Sequence, residues 1–441
     1  MVEVLKLRYK HLRIKERRLE FMHYIKKRKL LFFTLIFIII VISSFYYILH
    51  RDIGFLDKFQ ENAFRHVEKL NSFGMRYAGS KSETLTVDYI SKYFEQIDIE
   101  TKIEKFKFQY YDLDNYTVTI NGKVTNCEQM LINPYKYNNF SGEGVIYDPA
   151  SSTSDYLKDK IVVAKNTMNL YQLLKLNTRV ILLSENEFEN VRKSKGLKID
   201  VSMLGNKCDL TSCNVIGSIY PTHHTDKEII ISAHWDSYKG PGASDNASGI
   251  GVLLELANYY SSIKDSLPCI IRFVAFGAEE LGMLGSKDYV LNHSDELKQC
   301  NLLFNIDEVG GNKDIFIEIN GGVSEENDKL NSNLYAMSDY EGKWFLNLPL
   351  QTYSNVPVWL TNNIKNSCTE LNYKFIPGNG MGSDHQIFAQ NGVPSTNICI
   401  SGDIKTHSPD DTLDKVSLNG LRKSGQIVAS IVNKTLKQID P

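Results

Sequence analysis

Short apolar runs alternate with amphipathic stretches through the second half of the chain. EIIISA (228–233), CIIRFVAF (269–276), NLLFNI (301–306), DIFIEI (314–319) and STNICI (395–400) are too short for helices and predict buried strands. Between the first two, Asn246 to Ile263 sets Val252, Leu253, Leu256, Ala257 and Tyr260 on one side of a helix, and 281–291 also reads as helical. This alternation predicts an α/β fold, a mostly parallel sheet covered on both faces. Nearer the N-terminus, residues 52–72 read as a helix with apolar positions at Phe55, Phe59, Phe64, Val67 and Leu70. Ser80 with Glu83 makes a capping-box pattern, opening a second helix through Val87, Ile90 and Phe94. From about 105 to 215 the pattern changes to short strands: YTVTI, EGVIYD, KIVVAK and RVILL. The chain thus divides into 52–104 as the first part of one domain, 105–215 as a strand-rich insert, and 216–441 as the main α/β body.

One segment stands apart. Leu30 to Leu49 is twenty residues without a charge, which as a helix spans about 30 Å, the thickness of a bilayer core. Lys26, Lys27, Arg28 and Lys29 precede it, and Tyr46 and Tyr47 fall near its far end, where amphipathic rings favour the interface. The run exceeds the apolar core of a cleaved signal peptide, and no small-residue cleavage site follows it. These features predict a single-pass signal anchor at 30–49. The basic tail 1–29 would lie in the cytoplasm and the catalytic body outside the membrane.

The net charge of −2 conceals an asymmetry: residues 1–29 carry +8 and the remainder −10. An acidic body argues against nucleic acid as a partner, because phosphate binding requires clustered positive charge. Seven cysteines is an odd number, so at least one thiol stays unpaired within the chain. Cys208 and Cys213 are near enough in sequence for a small disulfide loop in an oxidising compartment, the alternative being thiols. No CxxC pair offers a thiolate zinc site.

The chemistry gathers just beyond the ends of the predicted strands. EIIISA leads to His234 and Asp236, CIIRFVAF to Glu279 and Glu280, NLLFNI to Asp307 and Glu308, and STNICI through a short loop to His407. Asp245 sits in the loop GASDNASG, before a helix. Open α/β sheets bind ligands at the carboxyl ends of their strands. Imidazole with carboxylate is the donor set for zinc and related divalent ions. Two histidines and three acids exceed the usual three ligands of one catalytic zinc and suit a pair of ions sharing a carboxylate. One of the adjacent Glu279 and Glu280 would then be a ligand and the other a base.

At this point the chain resembles the M28 di-zinc peptidases, best known for aminopeptidases. The matching strings are AHWDS (233–237), GASDNASG (242–249), GAEELGMLGSKDY (277–289), NIDEVGG (305–311), GSDHQIF (382–388) and THSPDDTLDKV (406–416), and FGMRYAGS (73–80) is similar to the family's lead-in. The resemblance implies a zinc-exopeptidase-like fold with two zinc ions. His234 and Asp307 would hold one zinc, Glu280 and His407 the other, and Asp245 would bridge. Glu279 would be the general base. Asp236 would receive the second ring N–H of His234, and Asp411 that of His407. A cis peptide often follows the family's bridging aspartate, here Asp245–Asn246. His385, a rival for the last metal position, falls instead near the substrate pocket. Some members carry a tyrosine before the last histidine; here Thr406 stands there, and the oxyanion partner is unassigned. The insert resembles a protease-associated domain, or else a lid specific to this chain.

The implied activity is hydrolysis of N-terminal residues from peptide substrates. The rivals are a carboxypeptidase-type or glutaminyl-cyclase-type relative, and a non-catalytic receptor on the same scaffold. All five ligand positions and the base are present, which disfavours the receptor. The segment 352–412 contains no Arg to grip a substrate carboxylate, which disfavours the carboxypeptidase. HExxH, GxSxG and Walker A motifs are absent.

Overall fold

The computed structural model describes residues 58–439, except 128, 133–138, 151, 153, 158, 169–172, 174–175, 177, 320–334, 339–344, 347–353 and 379–381. The basic tail and the expected anchor at 30–49 lie outside the described residues. Among those described, no helix is long and apolar enough to cross a membrane.

One sheet runs through the described body. Its strands are β1 (Glu100–Ile120), β2 (Lys123–Val124), β3 (Gln129–Ile132), β4 (Asn139–Ile146), β5 (Ile161–Lys165), β6 (Val180–Leu183), β7 (Leu197–Ile219), β8 (Glu228–His234), β9 (Ile270–Phe276), β10 (Cys300–Ile306), β11 (Ile315–Glu318), β12 (Tyr335–Ser338), β13 (Phe345–Leu346), β14 (Ile376–Gly378) and β15 (Ser395–Ile400). The spatial order is β13-β12-β3-β6-β5-β4-β7-β9-β8-β10-β15-β11-β14, with β1 paired to β7 and β2 to β1. At its centre β9, β8, β10 and β15 are parallel, so their carboxyl ends share one edge. β7 and β11 flank this core antiparallel.

Alternation along β9 shows why both faces are covered. Successive side chains of a strand point to opposite faces. Phe273 packs against Phe94 of the helix Lys81–Gln96 and Tyr260 of the helix Gly249–Ser262. Phe276 packs on the other side against Tyr289 of the helix Leu284–Asn292 and Phe388 of the helix His385–Gln390. The helix Leu418–Ile439 lies over β10 and β15 and beside Gly249–Ser262. It approaches closely through Gly425, where a Cβ would stand 2.3 Å from the Phe59 ring.

The insert differs from the expected set of short strands. YTVTI is the end of β1, 21 residues long, which pairs antiparallel with the 23-residue β7. β7 gives its first residues to β4 and its last to β9, so the insert's sheet and the main sheet are continuous. Lysines and other polar residues interrupt the apolar pattern along β1, and the twenty cross-strand pairs hold the ribbon where the pattern does not. The parallel β4, β5 and β6 pack around Val145, Val162, Ala164 and Leu182 on one side and Ile161, Val163 and Ile181 on the other.

Cys208 and Cys213 do not form a disulfide. Both lie on β7, and five residues of extended strand separate them by about 17 Å, far beyond the roughly 7 Å a disulfide spans between Cα atoms. The capping box is half realised. The Ser80 hydroxyl accepts from Glu83 N at 3.2 Å, but the Glu83 carboxylate turns to the Gly79 N–H and the Ser212 hydroxyl, tying the helix start to β7.

Candidate metal centre

Each expected ligand lies at or just beyond the carboxyl edge of the sheet. His234 is the last residue of β8, and Asp307 follows β10. Glu279 and Glu280 occupy the turn after β9, and His407 the loop after β15. Asp245 lies within the turn Ala243–Ser248 that leads into the helix Gly249–Ser262, and the Asp245–Asn246 peptide is cis.

These six residues converge. His234 Nε2 stands 3.2 Å from both Asp307 Oδ1 and Asp245 Oδ1. His407 Nε2 stands 3.0 Å from Asp245 Oδ2 and 3.1 Å from Glu280 Oε2. Two triads therefore share Asp245: His234–Asp245–Asp307 and Asp245–Glu280–His407, with the donor atoms of each within 4.8 Å of one another. The ring of His234 is buried, whereas the His407 side chain is 48% exposed, so the second triad faces the solvent side.

The donor set fits divalent cations. Glu280 Oε1 is buried and receives no hydrogen bond from the described residues, an arrangement that burial penalises unless a cation or proton arrives. Burial and Asp245 push the Glu280 carboxyl up to about 7, and burial with Asp245 and Asp307 pushes Glu308 up to about 9. Burial, reinforced by Asp384, Glu280 and Asp307 against the opposing His234, holds the Glu279 carboxyl well above the usual range. Burial disfavours charge on the imidazoles, yet the carboxylates win: Asp307 and Glu279 raise His234 well above its ordinary value, and Glu280 and Asp245 raise His407 to about 12. Asp245, despite burial, is held well below the carboxylate range by its two imidazole partners.

The outer contacts separate the two expected second-sphere acids. Asp236 lies 3.4 Å from His234 Nδ1. Its two oxygens also accept from the backbone N–H groups of Glu279 and Glu280, at 3.1 Å each. One carboxylate thereby registers the β8 and β9 loops. Asp411 is a correction: its oxygens accept from the backbone N–H groups of Ser244 and Asp245, at 2.8 and 3.0 Å, rather than from His407. Four residues in sequence bring Asp411 near, but the turn after His407 directs its side chain under the Asp245 loop. The His407 ring instead meets Tyr238 edge-on at 5.4 Å.

His385 is not brought to the triads. Its Nε2 pairs with Glu318 Oε2 at 2.8 Å, and both side chains are fully buried. Its neighbour Asp384 does reach the site: it is buried, accepts from the Ser286 hydroxyl at 2.5 Å, and lies near enough to Glu279 to raise that carboxyl. Burial, with Asp236 and Asp307, raises Asp384 to about 7. Sequence reading missed Asp384, although GSDHQIF contained it. It also missed Arg76 of FGMRYAGS, whose guanidinium is buried beneath the β8 loop.

Residues 214–432 match Peptidase family M28. This chain carries an M28 peptidase domain. As such it is a hydrolase of the metallopeptidase class. Over 423 residues, 86% of this chain and 85% of the relative, it is 26% identical to aminopeptidase YwaD of Bacillus subtilis. The aminopeptidase from Aneurinibacillus sp. strain AM-1 superposes with a TM-score of 0.65 at 23% identity, covering 85% of this chain and 93% of that one. BSAP, a zinc aminopeptidase from Bacillus subtilis, superposes at 0.56 with 20% identity, covering 85% and 94%. The last two likenesses establish the shared fold. With over four-fifths of each chain covered, the likeness extends well beyond the M28 domain itself.

Proposed function

We propose that this M28 protein is a zinc-dependent aminopeptidase that binds two ions and works outside the membrane, tethered by residues 30–49. The observation that carries this reading is the pair of ligand triads sharing Asp245, with Glu279 beside them. His234 and Asp307 would hold one ion, Glu280 and His407 the other, and Asp245 both. Bound there, divalent ions would polarise the scissile carbonyl, make water acidic and stabilise developing oxyanion charge. Glu279 is the group left to move the proton: its carboxylate takes it from the attacking water and returns it to the departing amine. Asp236 fixes the Glu279 backbone for that task, and Asp384 crowds the same carboxyl.

The direction of attack follows from charge. Burial and then Asp245, Asp307 and Glu280 raise the Glu308 carboxyl against the opposing His407, and its backbone adopts φ +51 directly after Asp307. This acidic surround suits a substrate ammonium and repels a free carboxylate. The tether rests on the apolar run and its basic flank alone. On this reading its role is to hold the catalytic body at the membrane surface.

The test is release of 4-nitroaniline from a panel of aminoacyl-4-nitroanilides by the detergent-solubilised full chain, with and without chelator, alongside elemental analysis. The reading expects chelator-sensitive turnover, restored by zinc, and no activity on N-acylated substrates. Cleavage confined to N-blocked peptides with a free C-terminus would reverse the direction assigned.

A further inference from the structure

Arg76 is fully buried, which is rare for arginine, and among the described residues its side-chain bonds go to backbone carbonyls. Nε donates to Trp235 O at 2.7 Å, Nη1 to Pro241 O, and Nη2 to Gly242 O at 2.9 Å. The backbone is tied as well: Arg76 N donates to the Ser237 hydroxyl at 3.0 Å, and Ser237 N donates to Arg76 O at 3.2 Å. Trp235 sits between His234 and Asp236, and Gly242 lies three residues before Asp245. A single planar fork thus clasps both ends of the segment that carries two ligands of one triad. The position is shaped to admit it. A Cβ on Gly242, which has φ +56, would stand 2.2 Å from Asp245 O and 3.2 Å from Arg76 Nη2. The charges acting on the guanidinium are Asp236, Asp411, Asp245 and Glu280, all of opposite sign.

We propose that Arg76 is a positioning residue that orders the His234–Asp245 segment before any metal enters, so that the centre is preformed rather than assembled by its ions. The proposal rests on the reading of these triads as metal sites, but its structural half does not. The lead-in FGMRYAGS lies more than 150 residues before this segment and supplies no ligand. Its role on this view is to supply a permanent cation that offsets part of the acidic cluster and holds the loop backbone in place. Lysine cannot replace it fully, because an ammonium has no planar fork to meet three carbonyls at once.

The test compares wild type with Arg76→Lys and Ser237→Ala, in two measurements. The first is amide hydrogen exchange of EDTA-treated protein. We expect the amides of 236–245 and of Glu279 and Glu280 to exchange at least about tenfold faster in Arg76→Lys, while those of Ile161–Lys165 stay unchanged. Ser237→Ala, which removes only the hydroxyl link, should show a smaller rise in the same segment and serves if the lysine variant folds poorly. The second is zinc titration against a chromophoric chelator, where Arg76→Lys should lose about 10–100-fold in affinity and recover much of its kcat at saturating zinc. Exchange and zinc affinity both within twofold of wild type in a folded variant would overturn the proposal, as would acceleration spread evenly over the whole body. If wild type itself takes up no zinc, the metal reading fails, while the exchange experiment still decides whether Arg76 orders the segment.

Discussion

Replacing Asp236 by Asn changes one atom and should disable the centre without opening a cavity. The Asp236 carboxylate is 2% exposed and accepts from Glu279 N and Glu280 N at 3.1 Å each, with His234 Nδ1 3.4 Å away. An asparagine keeps one acceptor and turns an NH2 toward the second N–H, leaving a buried donor unpaired, at a cost of about 1–3 kcal/mol. The loop escapes part of that cost by shifting, which moves Glu280 off its triad and Glu279 off its proton-transfer position. A penalty of about 2 kcal/mol corresponds to roughly 30-fold, inside the roughly 10–100-fold range for outer-sphere partners of metal ligands. Asp236→Asn is therefore expected to lose about 30-fold in zinc affinity or in kcat/KM at saturating zinc, with its melting temperature lowered only modestly. Competition against a chromophoric chelator and nitroanilide kinetics read the two effects separately. Wild-type values within twofold on both would refute the argument that this carboxylate sets the register of the β8 and β9 loops.

Glu279→Gln should retain its zinc by elemental analysis and lose about 10²–10⁴-fold in kcat, the usual contribution of a general base; surviving turnover would remove Glu279 from that role. Glu308→Gln should raise KM for free-amine substrates about tenfold or more while leaving metal content intact, and loss of metal instead would make Glu308 a ligand. For metal-free protein the sign of the pH dependence follows from raised values: Glu280 and Asp384 at about 7 and Glu308 at about 9 keep protons that unfolded carboxyls release near pH 4. The native state then binds more protons than the unfolded one, so stability falls as pH rises from about 5 to 9. His407, raised to about 12, acts in the same direction above its ordinary range. Melting curves of EDTA-treated protein that are flat or rise over that window would contradict this. Gly277→Ala should destabilise by about 1–3 kcal/mol, because its Cβ would stand 2.5 Å from Cys213 O and 2.6 Å from the Trp235 ring; an unchanged denaturant midpoint would show that the β9 turn gives way freely.

The metal-site candidates were legible because all but Asp245 follow a short apolar run, and parallel strands bring their carboxyl ends to one edge whatever the loops do. That logic placed His234, Glu280, Asp307 and, through a short loop, His407 together, and Asp245 joined them from the loop before a helix; the motif resemblance then gave each its role. The long pairing of β1 with β7 was not legible, since lysines break the alternation and the pairing partner lies about a hundred residues away. The helix Leu418–Ile439 escaped notice too: Gly420 and Gly425 weaken its helical signal, and only tertiary packing explains them, since a Cβ would stand 2.0 Å from Gly311 O at Gly420 and 2.3 Å from the Phe59 ring at Gly425.

From sequence alone came the α/β alternation, the order of strands that end in chemistry, the donor types, and the apolar run at 30–49. Tertiary structure decided which polar group answers which. Asp411 serves the Asp245 backbone and not His407, Asp384 joins the site while His385 does not, and Arg76 clasps a segment some 160 residues away. The physical reason is range. Periodicity and spacing report contacts a few residues apart, whereas a buried polar side chain takes whichever donor or acceptor the packed elements leave within about 3 Å, and that is settled only once the sheet and its helices have closed.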